Sequence, residues 1–132
     1  MKIATIATAF AIGWSAAALP ASAEILRGDR FITAMQDNTV SGVAGKTAYN
    51  LYFLPGGIAT YRDQTGTSVS GSWHLDQTGD VCVNWQKGTA APAGCFQVTA
   101  ENKTLSWQSK SATTGGQTLR GGVTETFLQP AR

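Results

Sequence analysis

From residue 39 onward the chain alternates apolar and polar positions with a period of two, and Gly, Asn and Asp fall between the runs. That is the pattern of half-buried strands bounded by turns. It predicts strands over 39–43, 47–54, 58–62, 67–75, 81–86, 96–100, 104–109 and 122–128. Pro55-Gly56-Gly57 marks the turn between the second and third, and residues 76–80 and 101–103 mark later ones. Alternation also assigns faces. Val69, Gly71, Trp73 and Leu75 point one way, and Ser68, Ser70, Ser72 and His74 the other. Val81, Val83, Trp85, Phe96 and Val98 point inward, which leaves Cys82 and Cys95 together on the outer face of neighbouring strands. Tyr52 faces away from Tyr49, Leu51 and Phe53. Before the first strand, Phe31, Ile32 and Met35 share one face of a short helix that Asp29 would cap. The expected fold is mainly β: an antiparallel seven- to eight-stranded barrel or sandwich with a short N-terminal helix and one disulfide.

The N-terminus changes the picture by suggesting a compartment. Met1-Lys2, an uncharged run over 3–19 and the small-x-small pattern Ala21-Ser22-Ala23 read as a secretory signal peptide cleaved after Ala23. A membrane anchor is the other reading, but the run is short and weakly apolar. The mature chain would be one β domain over 24–132, periplasmic or secreted. Of 10 Lys+Arg and 8 Asp+Glu, removing Lys2 leaves nine basic residues against eight acidic ones, without a basic run. That balance lacks the footprint of nucleic-acid binding or of polybasic membrane attachment. The expected partner is therefore a protein or a small ligand, with the chain a monomer or small homo-oligomer.

Export also bears on the two cysteines. Twelve residues separate Cys82 from Cys95, too many for a thioredoxin-type pair. A zinc site would need four ligands, and His74 is the single histidine. In an oxidising compartment the expectation is a structural disulfide, and no metal or cofactor is expected.

Candidate chemistry is sparse. Ser70 and His74 face the same way, but four residues along a strand is about 13 Å, too far for a nucleophile and its base. A hydrolase using His74 would need another strand's hydroxyl or carboxylate beside it. Glu125 alternates with Val123 and Phe127, so it faces either the core, with Arg62 or Arg120 as partner, or water with Thr124, Thr126 and Leu128 turned inward. The tryptophans, tyrosines and phenylalanines fill a core or line a ligand calyx. Tyr52 is the aromatic expected to be exposed.

The order "NTVSG", "YNLYFLPGGIATYR", "SGSWHLDQTGDVCVNWQKG" and "CFQV" resembles an uncharacterised family of small exported bacterial proteins, whose pattern is a G-x-W strand, a C-x-x-W strand and a C-F strand. The likeness spans most of residues 38–98 and implies a fold without an activity. "SGSW" and "WQKG" also look like shifted versions of two motifs in periplasmic inhibitors of chicken-type lysozyme, which are eight-stranded barrels. That resemblance implies that Ser70 and Lys87 would reach the acidic cleft of a lysozyme, where a cation and a hydroxyl donor suit two carboxylates. The sequence thus points to a non-catalytic exported binding protein, with inhibition of a lysozyme-type hydrolase as the alternative. Its candidate binding residues are Ser70, Lys87, Tyr52 and Glu125.

Overall fold

The computed structural model describes residues 23–113 and 116–130, with side chains for all of these except 112, 113, 116–118, 120 and 121. The leader expected over residues 1–23 lies outside the described residues, Ala23 excepted. Among the described residues no helix is long and apolar enough to cross a membrane.

The elements run β1 (Glu24–Ile25), α1 (Asp29–Met35), β2 (Asn38–Ala44), β3 (Thr47–Leu54), β4 (Ile58–Asp63), β5 (Ser68–Leu75), β6 (Val81–Trp85), β7 (Gly94–Glu101), β8 (Thr104–Thr113) and β9 (Gly116–Pro130). Each strand from β2 to β9 pairs antiparallel with the next, and β9 returns to pair with β2. The result is a closed eight-stranded up-and-down barrel, not a sandwich, with β1 outside the cycle. Closure satisfies the edges that an open sheet would expose. β1 fits because β6 uses only Gly94–Phe96 of its edge of β7; Glu24 and Ile25 take Ala100 and Thr99 farther along. Beyond an irregularity between Gln108 and Lys110, β8 and β9 continue as a ribbon, Lys110 opposite Leu119 and Thr113 opposite Gly116.

A barrel of about this size has just enough room for its own side chains. Here they fill it. Phe31 and Trp107 are almost fully buried, and the Trp107 ring meets Phe31, Phe53 and Phe96 at centroid distances of 6.4, 6.0 and 5.8 Å. Most of the aromatic set is thus a core, with α1 laying Phe31 against it; Tyr52 and Phe127 lie outside that core. Gly28 occupies the N-cap position without a side-chain hydrogen bond, and Asp29 lies in the first turn rather than capping the helix. Of the helical apolar trio, Phe31 and Met35 are buried and Ile32 is exposed.

Two glycines make room for rings. A Cβ on Gly42 would meet the Tyr49 ring 2.6 Å from its Cζ, and one on Gly71 would run into the Asn84 carbonyl oxygen and the Trp85 ring. Face assignment on β5 follows the alternation. Val69 is buried, Trp73 and Leu75 are half-buried, and the serines and His74 are exposed. Trp73 is less enclosed than an inward position suggests, because it lies at the rim and donates its indole N–H to the Leu54 carbonyl at 3.0 Å.

Candidate functional site

The outer surface of the barrel divides by how fully its polar groups are used. On the β5–β8 side, Cys82 and Cys95 stand directly opposite each other on β6 and β7 and are disulfide-bonded. Beside them the β5–β6 turn folds around carboxylates. Asp76 Oδ1 accepts from the Thr78 hydroxyl and from the amides of Thr78 and Asp80 at 2.7–3.0 Å. Asp80, with no exposed side-chain surface, accepts from Arg27 Nε at 2.9 Å and from the Lys110 ammonium, which also reaches Asp76 at 3.1 Å. Lys110 itself is only 5% exposed.

Burial alone would push both carboxyls up. The Thr78 hydroxyl, the Lys110 ammonium and the turn amides outweigh that for Asp76 and hold it at about 2. For Asp80, burial is likewise outweighed by Arg27, Lys110 and Thr78, and its pKa is lowered. The carboxylates raise Lys110 against its own burial. In the sequence these carboxylates simply fall in a turn; their partners, 53 and 30 residues away, leave no local signal. Asp76 and the two cysteines lie close enough to suggest a metal site. The sulfurs are bonded to each other, so they offer no thiolate.

On the β9–β2–β3–β4–β5 side the register aligns Phe127, Ser41, Asn50, Arg62 and Ser68 in one outward row. A second row runs Tyr52, Thr60, Ser70. Arg62 joins the rows, its guanidinium 5.8 Å from the Tyr52 ring centroid. Phe127 on β9 and Val43 on β2 lie to one side of this pair, 54% and 62% exposed. Among the described residues the pair is the one cation–π contact, and open apolar surface lies next to it.

Three of the four candidate residues come together here. Tyr52 and Ser70 are two strand spacings apart, about 10 Å. The Gln86 amide donates to the Ser70 carbonyl at 3.0 Å, so Lys87 follows directly, and both Ser70 and Lys87 are exposed. The loop then turns back over the barrel: Trp85 Nε1 donates to the Pro92 carbonyl at 3.1 Å, and Ala91 is buried.

Glu125 is the outlier. It is exposed opposite Ser106, with Thr126 turned inward and accepting from Trp107 Nε1 at 2.7 Å. The inward alternative for Glu125 is thereby overturned. Arg120, its other proposed partner, is not among the described side chains. By the short way round the barrel, through β8 and β7, the Lys87 loop after β6 is three steps from β9, so Glu125 and Lys87 do not stand on neighbouring strands. His74 is exposed opposite Cys82, and no described side chain hydrogen-bonds to it.

Among the described residues, the exterior concavities include three of similar size, about 550–570 Å³. One overlies the Tyr52–Arg62 pair; one lies over Phe96 and Trp107 at the barrel mouth; one separates α1 from the β3–β4 turn. Their volumes do not rank them, so lining chemistry must. No protein-family model, curated protein or solved structure matches the chain.

Proposed function

We propose that this is an exported, non-catalytic binding protein that engages a protein partner through the outer face centred on Tyr52 and Arg62. The observation that carries the reading is the exposure of Phe127 and Val43 on β9 and β2, alongside that pair on β3 and β4. Aromatic and arginine side chains are enriched in the energetic centres of protein interfaces. The interior is filled by rings, which argues against a ligand carried inside the barrel. The leader pattern and the disulfide both favour export.

The test is site-specific photo-crosslinking in the exporting cell, with the reactive residue placed at Phe127 or, for comparison, at His74. A discrete protein adduct from position 127 and none from position 74 is expected. Equal adducts from both, or none, would remove the reading.

A second reading has its own observation. The hydrogen bond between Gln86 and Ser70 sets Lys87 beside Ser70 at the surface, as inhibition of a lysozyme-type hydrolase would require. The mature protein would then inhibit a chicken-type lysozyme in a turbidity assay, and Lys87→Ala would weaken it by about 30-fold, the loss typical of a desolvated cation–carboxylate pair. Unchanged lysis at micromolar protein sinks this reading and leaves the first standing.

A further inference from the structure

The concavity between α1 and the β3–β4 turn has a chemistry of its own. Its apolar wall is formed by Met35, Tyr52, Phe53, Leu54 and Trp73, with exposed Ile32 at the edge. Trp73 is fixed there twice, by its indole N–H on the Leu54 carbonyl and by its backbone N–H on the Gly57 carbonyl at 2.9 Å. The polar end of the groove is Asp37, with Gln36 and Asn38. Asp37 is exposed and has no ion pair or side-chain hydrogen bond among the described residues. No lysine or arginine lines the groove, and the last turn of α1 carries no basic residue. An aromatic wall beside one unpaired carboxylate is complementary to positive charge attached to an apolar body.

We propose that this groove binds an organic cation, an ammonium group bearing an apolar portion. The apolar part lies along Ile32, Leu54 and Phe53, and the cationic head meets Asp37 and the aromatic faces. Rings attract cations through their quadrupole, and the attraction grows as the head loses water. Arg62 already occupies one approach to Tyr52, so Trp73 is the ring that remains for the ligand. The site shares only Tyr52 with the protein-binding face and stands or falls separately from it.

Asp37 lends itself to a clean test because its φ is +60°, a conformation that asparagine adopts at least as readily. Asp37→Asn therefore removes the charge and leaves the turn intact. The measurement is titration of the ¹⁵N-labelled mature protein with hexyltrimethylammonium, with hexanol and hexanoate as neutral and anionic comparators. The Trp73 indole N–H is the reporter, assigned by its loss in Trp73→Phe. The cation is expected to shift it saturably at a lower concentration than hexanol, with hexanoate weakest. Asp37→Asn is expected to weaken the cation about five-fold and leave hexanol unchanged, the scale of an exposed ion pair. Added salt should weaken the cation alone in the wild-type protein, a readout independent of any variant. Equal affinity for cation and hexanol, no salt effect, or no shift by low millimolar cation would overturn the proposal.

Discussion

The two flanks of the barrel use similar materials to opposite ends. On the β6–β8 flank a disulfide, two carboxylates, an arginine and a lysine are drawn together until Asp80 and Lys110 have almost no contact with water. On the β9–β4 flank Phe127, Val43 and Arg62 are left open and Tyr52 is half-buried rather than exposed, with one internal contact between ring and guanidinium. Charge on the first flank is consumed by structure; apolar and aromatic surface on the second is not. The flank richest in chemical groups is thus the poorer candidate for function, because each group already has its partner. The comparison predicts that substitutions on the first flank unfold the protein, and those on the second leave it folded and unable to bind.

The largest effect is expected from Lys110→Met. It leaves Asp76 and Asp80 facing each other with only Arg27 to compensate, and breaking a buried pair from one side costs about 3–5 kcal/mol. Chemical denaturation reads this directly, and a loss below about 1 kcal/mol would show that the cluster is not structural. Replacing both cysteines by serine should cost about 3 kcal/mol, since the bridge closes a loop with a sequence separation of 13. The same denaturation curves, with and without reductant on the wild-type protein, check it. Acid should come next. Asp76 is depressed from 3.8 to about 2, so its contribution is complete above the unfolded pKa and is lost as pH falls through the folded one. That is worth about 2 kcal/mol, lost between roughly pH 5 and pH 1. A melting temperature constant over that interval would contradict the sign of the shift. The smallest effect belongs to His74→Ala, expected to change stability by less than about 0.5 kcal/mol as an exposed position.

Strands and disulfide were legible in the sequence because both follow from period-two alternation, which is a local property. Alternation puts Cys82 and Cys95 on one face, and the register sets them opposite each other. Barrel closure was not legible, since it depends on β2 meeting β9 from the other end of the chain. Nor was the parity of β9. Its outward face carries Val123 and Phe127 and its inward face Thr124 and Thr126, the reverse of what hydrophobicity suggests. Thr126 is tolerated inside because the Trp107 indole satisfies its hydroxyl. That reversal is also what puts Phe127 at the surface. Of the outer candidates, Ser70 and Lys87 come as a pair from a resemblance and Tyr52 separately from alternation. Only the register shows that two lie in one row and the third beside it, and that Arg62, considered merely as a partner for Glu125, belongs with Tyr52.

The contrast between the flanks rests on whether binding can be lost without loss of fold. The decisive measurement is therefore a paired one on the Arg62→Ala/Phe127→Ser double variant: its melting temperature, and its yield of the partner adduct formed from a photo-reactive residue at Tyr52. Removing an exposed ring and an exposed guanidinium should cost no more than about 1 kcal/mol, a melting shift of about 4–8 °C at most. The account predicts that small shift together with loss of the adduct. An adduct that persists at wild-type yield, or a double variant as destabilised as Lys110→Met, would contradict it.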